Sequence, residues 1–173
     1  KAADVLAEIA GINLGIIFSE VEKLAVYVGE RPEITLDDVM TMASSGQKHV
    51  FILFDALERR AAPEALSLVS EMLRDKVHPL SIVSAIASQY RTLLAVKSLL
   101  KRRMALPQLS RQLKKSPFII EKAVKYAQRA SADELEYYME EIYHTSQQLK
   151  SSQGSPPVLM ELLVAQLCRG REN

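Results

Sequence analysis

The chain has 173 residues, 48% of them hydrophobic and 25% charged, with a formal net charge of +1. That balance suits one globular domain with a sizeable core, or one domain plus a fragment of another. No run of 18 or more apolar residues is present, and the opening KAADVLAEIAG lacks the charged-then-apolar order of a signal peptide, so neither a membrane span nor secretion is expected. The single cysteine, Cys168, cannot make an internal disulfide and fits a reducing compartment, for which the cytoplasm is the expectation. With no initiator Met and a helical pattern already under way at its first residues, the chain reads as a piece of a longer protein.

Residues Ala2 to Ala10 read as a helix stopping near Gly11, and Asn13 as the cap of the next one. The stripe Leu14, Ile17, Val21, Leu24, Val28 repeats at helical spacing before Gly29 ends it. Thr35 caps a short helix whose first turn holds Asp37 and Asp38, where carboxylates suit the positive end of the helix dipole. Adjacent residues point apart on a helix, which argues for capping over a metal pair. Ser44-Ser45-Gly46 is the clearest boundary signal, and a domain junction is placed there, dividing residues 1–46 from 47–173.

Beyond the junction, His49 to Arg60 reads as a helix with Val50, Leu53, Phe54 and Leu57 on one face. Pro63 opens another, with Ala65, Leu66, Val69, Met72 and Leu73 inward. The organising element is Leu80 to Met104, free of Gly and Pro. Its stripe Ile82, Ile86, Tyr90, Leu93, Val96, Leu100 is widened by Val83, Ala87 and Leu94, so the helix should be covered from several directions. Only Ser84, Ser88, Arg91, Ala95, Ser98 and Arg102 form a small or polar line. Helices then start at Leu106-Pro107 and Ser116-Pro117, a Ser131/Glu134 capping box opens one reaching about Ser151, and Ser155 caps a last one over Val158 to about Cys168. No strand is predicted, and the fold class is all-α, with a small helical unit followed by a helical bundle around one long central helix.

The small net charge hides a strong segregation. Residues 1–47 carry 3 basic and 8 acidic side chains, whereas residues 91–129 carry 11 basic and one acidic. Such a block marks an anionic partner or a neighbouring acidic surface. Within it, residues 106–129 resemble a helix-turn-helix, which gives the alternative reading of a nucleic-acid-binding protein. A base-reading helix needs polar side chains in its first turns, and this one begins Phe118-Ile119-Ile120, leaving Lys122, Lys125 and Arg129 as candidate phosphate contacts.

Catalytic patterns are missing: there is no GxxxxGK[ST] phosphate loop, no GxSxG elbow and no HExxH helix. His49, His78 and His144 fall in different predicted elements without partners at metal-ligand spacing, and Cys168 sits among Leu163, Val164 and Leu167 as a small packed hydrophobe. No catalytic residue, metal ligand or cofactor is therefore expected, and the chain itself is not expected to be an enzyme.

Several segments carry a resemblance in their order and spacing. They are SEVEKLAVYVG (Ser19 to Gly29) followed by ITLDDV (Ile34 to Val39), FDAL (Phe54 to Leu57), QYRTLLAVKSLL (Gln89 to Leu100), LSRQLKKSPFIIEKAVKYAQR, QLK (Gln148 to Lys150) and LMELLVAQLC (Leu159 to Cys168). With these the chain resembles the C-terminal part of the delta subunit of bacterial DNA polymerase III, a member of the clamp loader. The resemblance implies that residues 1–46 are the remainder of an AAA+ lid and that residues 47–173 are the helical collar joining subunits into a heteropentameric ring. The AAA+ core that grips the sliding clamp would precede residue 1, and primer-template DNA would be met through the full-length protein or the complex. ATP-hydrolysing relatives place an arginine after a G-x-[DN]-L stretch. Here Gly11-Ile12-Asn13-Leu14 is followed by Gly15, which has no guanidinium to stabilise a phosphate. Ser146 stands where many relatives carry Asp.

The collar reading sets an expectation for the partner surface. Val158, Leu159, Leu162, Leu163, Val164 and Leu167 are too many for one buried face of the last helix. A contact with other loader subunits is therefore expected through Leu159 and Leu163, or through the small line Ser84, Ser88, Ala95, Ser98 of the central helix.

Overall fold

The computed structural model describes residues 2–10, 14–42 and 45–170, and the described residues form ten α-helices and no strand. In chain order these are α1 (Ala2–Ala10), α2 (Leu14–Val28), α3 (Leu36–Met42), α4 (Ser45–Glu58), α5 (Ala62–Arg74), α6 (Pro79–Lys101), α7 (Leu106–Leu113), α8 (Pro117–Arg129), α9 (Ala132–Lys150) and α10 (Pro156–Arg169). The helix stop at Gly11, the cap at Asn13 and the first residue of the Ser44-Ser45-Gly46 junction lie outside the described residues.

The long helix α6 is the spine. His78 caps it, its Nδ1 accepting from the Leu80 N–H at 3.3 Å, and Pro79 stands in its first turn. Its 23 residues extend for about 35 Å. The helix stops at Lys101, before the expected Met104, because Arg103 turns left-handed at φ 56°. The N–H groups of Arg102 and Met104 then bond back to the Leu99 carbonyl. Ile82, Val83, Ile86, Ala87, Tyr90, Leu93, Val96 and Leu99 of α6 are all buried. They face α9 and α8 along most of the helix, and α4 and α7 over shorter stretches.

Around this spine α4 and α5 form an antiparallel pair, and α10 lies across α5, α4 and α9. α4 begins at Ser45, four residues before the expected His49. An aromatic line ties three helices to the spine: Phe54 meets Tyr90 edge-on at 5.6 Å between ring centres, Tyr90 meets Tyr138 at 5.3 Å, and Phe54 meets Tyr126 at 6.0 Å. Each such pair adds about 0.5–1.5 kcal/mol beyond the area it buries. Lys97 crosses from α6 to cap the C-terminus of α8, donating to the carbonyls of Ala127 at 2.7 Å and Ala130 at 2.5 Å. This uses a cation where the negative end of the helix dipole favours one.

Helices α1 to α3 build a second, smaller core from Val5, Leu6, Leu24 and Val39, with Phe118 of α8 packed against it. The expected cap of α3 is present: Thr35 Oγ1 accepts from the Asp38 N–H at 3.2 Å. Asp38 in turn accepts from the Thr35 N–H at 2.8 Å and hydroxyl at 2.7 Å, and from Arg31 at 2.9 Å. Those bonds to Thr35, aided by Arg31, hold the Asp38 carboxyl at about 2, so it serves as a cap. Only the second half of the α2 stripe faces this core. Leu24 and Val28 are buried, while Leu14 stays 79% exposed and Val21 40%.

Candidate functional site

The expected partner residues divide into two groups. Ser84, Ser88, Arg91 and Ser98 are exposed and Ala95 is half-buried, so this line is a side of α6 left open among the described residues. The Thr92 hydroxyl bonds back to the Ser88 carbonyl at 2.9 Å, keeping polarity local to the helix. On α10 the expectation is corrected. Leu159 and Leu163 are buried with Met160, Val164 and Leu167 against the bundle core, and the outward face instead carries Val158 and Leu162, 51% and 55% exposed. The cause is the direction from which α5, α4 and α9 approach: they take the Leu159–Leu163–Leu167 side, and apolar Val158 and Leu162 beside it keep spacing alone from fixing its edge.

The candidate phosphate contacts on α8 are also redistributed. Lys122 is half-buried, 2.7 Å from Asp55 Oδ1 and 4.3 Å from the centre of the Phe51 ring. Lys125 lies 3.6 Å from Glu121 one turn back, and Arg129 is exposed. Asp55 also accepts from the Tyr126 hydroxyl at 2.5 Å. Burial pushes the Asp55 carboxyl up, but the hydrogen bonds from Lys122 and Tyr126 and the charges of Lys122 and Arg59 outweigh it and hold it below its ordinary value. Lys122 thus ties α8 to α4 and is already neutralised. The first turn of α8 points inward, with Ile119 and Ile120 buried, so it offers no base-reading face and the helix-turn-helix reading is not favoured.

A polar pocket of about 70 Å³ opens where α4, α6, α8 and α9 meet, walled by Glu58, Arg60, Tyr90, Tyr126, Arg129, Glu134 and Tyr138 among others. It has room for a few waters and is too small for an organic ligand. Ser131 caps α9 as expected, but Glu134 turns away from the capping box to accept from Arg60 and from the Tyr138 hydroxyl at 2.8 Å. Burial, then the negative charges of Glu134 and Asp55, push the Glu58 carboxyl up to about 7, against the opposing charges of Lys122 and Arg129. Gly170 closes one edge: a Cβ there would stand 3.1 Å from Glu134 Oε1 and 3.3 Å from the Tyr138 hydroxyl, at a φ of +77°. Nothing in the sequence singled out this cluster. Its one signal was a carboxylate, Glu58, directly following the buried Leu57.

Other candidate groups stand apart. His49 lies 3.5 Å from Glu71, His78 caps α6 and His144 is exposed on α9. Cys168 is buried, and burial pushes its thiol up, away from nucleophilic use. Among the described residues no three His, Cys, Asp or Glu side chains converge to hold a metal ion. No described helix is long and apolar enough to cross a membrane.

Residues 47–167 match the family model described as DNA polymerase III delta subunit, C-terminal domain. The chain belongs to the DNA polymerase III delta subunit family. DNA polymerase III subunit delta of Bacillus subtilis is 30% identical over 173 residues, covering 99% of this chain and 50% of that protein. Probable DNA polymerase III subunit delta of Aquifex aeolicus is 32% identical over 100 residues, covering 57% of this chain and 29% of its own length. The solved structure of the Bacillus subtilis DNA clamp loader delta protein superposes with a TM-score of 0.75 and 29% identity, over 97% of this chain and 50% of that one. This delta-family chain therefore spans at most about half the length of the relatives it matches. Its all-α fold is that of the delta C-terminal region.

Proposed function

We propose that this chain is the non-catalytic C-terminal part of a clamp-loader delta subunit. In this reading residues 47–173 are the collar, which binds other loader subunits in a heteropentameric ring, and residues 1–46 are the remainder of an AAA+ lid that relays motion from the ATPase core. The whole subunit would serve in opening the sliding clamp and loading it on primer-template DNA in the bacterial cytoplasm. The carrying observation is the agreement of fold with the Bacillus subtilis clamp loader delta protein over 97% of this chain.

Two faces are suited to the assembly role. One is the small-residue line Ser84, Ser88, Ala95, Ser98 on α6, where another helix can approach closely; the other is the exposed pair Val158 and Leu162 on α10. Leu159 and Leu163 support the second face from beneath by fixing α10 on the core. Permanent subunit interfaces commonly bury about 2,000 Å² or more and are apolar at their centre. Mixing this chain with the other subunits of a bacterial loader and separating the products by size-exclusion chromatography tests the reading. Co-elution in one complex is expected, and separate elution at micromolar concentration would count against a collar role.

A further inference from the structure

From Lys76 to Ile120 the sequence contains no acidic residue, and the structure places five cations of this stretch on one elbow of the fold. Lys101 ends α6, Arg102 and Arg103 make the turn that follows, Arg111 stands in the last turn of α7, and Lys114 is the left-handed residue that caps it. All five are exposed, and none forms an ion pair among the described residues. Three other cations of the basic block are differently employed. Lys97 is spent on the end of α8, Lys122 on Asp55 and Lys125 on Glu121.

The elbow is held stiffly. The N–H groups of Arg102 and Arg103 bond to the carbonyls of Leu99 at 3.0 Å and Leu100 at 2.9 Å. The Gln108 side chain accepts from the Ala105 N–H at 3.1 Å, and the Lys115 N–H donates to the Ser110 carbonyl at 3.2 Å. Leu109 anchors α7 in the core. The cations are thus presented on a fixed backbone. The helix dipole accounts for a cation in the last turn of α6 or α7, but its effect falls off within that turn and leaves a surplus beyond it.

We propose that this α6–α7 elbow is a sequence-independent contact surface for the phosphate backbone of duplex nucleic acid. The eight residues of α7 cover about 12 Å, a length over which a duplex presents roughly seven phosphate charges. Leu106, 45% exposed, is the one exposed large apolar side chain between residues 101 and 115, so an acidic amphipathic helix would find no row of pockets for its anchors. The same stretch has no aromatic ring, so unpaired bases would find no stacking platform. The inference moves the expected phosphate contact from α8 to the elbow. It stands on the charges of this chain and does not depend on the ring reading.

The test is fluorescence anisotropy of a labelled duplex of about 30 base pairs titrated with the 173-residue chain between roughly 50 and 200 mM salt. With up to five phosphates neutralised, the log affinity should fall with log salt at a slope of about −4. Arg102→Gln, Arg103→Gln and Arg111→Gln together should reduce that slope by roughly 3 and the affinity at low salt at least tenfold. Lys122→Gln with Lys125→Gln should leave both nearly unchanged, and a duplex of shuffled sequence should bind within about twofold. The triple elbow variant should keep the wild-type helical circular dichroism, since its three altered side chains are exposed; helicity of the Lys122/Lys125 variant is checked in the same way. Wild-type binding by the triple variant, or loss of binding through the Lys122/Lys125 pair alone, would overturn the assignment. So would tighter binding of a polyglutamate of equal charge, or binding to anionic lipid vesicles without binding to duplex.

Discussion

Replacing Glu58 by Gln should make this chain more stable at pH 8 than at pH 5 relative to the unaltered protein. The substitution keeps the shape of the side chain and removes its charge. Glu58 walls the polar pocket with its carboxyl raised from 4.5 to about 7, first by burial and then by the charges of Glu134 and Asp55. In the unfolded chain the group ionises near its ordinary value, so between those two values the folded state holds a proton that the unfolded state has lost. Stability therefore falls as pH rises through this window, reaching a full cost of roughly 3 kcal/mol above pH 7, and about 2–3 kcal/mol of that accumulates between pH 5 and pH 8. Glu58→Gln abolishes this dependence. Urea unfolding followed by circular dichroism at pH 5, 6, 7 and 8 should show the two stability curves diverging by about 2–3 kcal/mol toward alkaline pH. For a domain of this size that is a difference of roughly 5–10 °C in Tm. Parallel curves would show that Glu58 is solvated like a surface carboxylate and would refute the reasoning about the pocket.

Two further outcomes follow from the burial pattern and the motif content. Leu163→Ala removes a fully buried side chain of α10 and should cost about 2–5 kcal/mol, while Leu162→Ser on the opposite face should change stability by less than about 1 kcal/mol; equal effects in urea titrations would mean that α10 is rotated from the orientation described. Calorimetric titration of Mg-ATP into the chain should give no saturable heat, as the proposed collar-and-lid reading requires with Gly15 at the sensor-like position, and a stoichiometric binding isotherm would contradict that reading.

The parts of the fold legible in the sequence are those governed by local periodicity and capping. The spine announced itself because more than twenty residues without Gly or Pro carried an apolar stripe too wide for one neighbour, and α8 covers one side of it as α9 covers another. Thr35 and Ser131 were readable as caps since the hydroxyl and the N–H it accepts from are three residues apart. What escaped depends on segments distant in the chain. The inward side of α10 is chosen by α5, α4 and α9, so Leu159 and Leu163 could not be told from Val158 and Leu162 by spacing. Lys122 looked available for phosphate because its counter-charge, Asp55, arrives from α4. Glu58 drew no attention in the sequence because the helices that enclose it, α8 and α9, are distant in the chain. Even the last turn of the spine was overestimated, because Arg103 adopts a left-handed conformation that spacing does not encode.

The central claim, that this delta-family chain is a collar holding its subunit in a ring, is tested most directly by charge placed on its two uncovered faces. Ser88→Glu on α6 and Leu162→Glu on α10 each alter an exposed side chain, so both variants should fold with wild-type helicity as isolated chains. At the centre of a permanent interface either charge should cost about 2 kcal/mol or more of assembly energy, a loss of thirtyfold or greater. Size-exclusion chromatography with light scattering of the reconstituted loader, run at concentrations near the dissociation constant, is the measurement. The account predicts that at least one of the two folded variants elutes apart from the other subunits. Complete ring formation by both would contradict it.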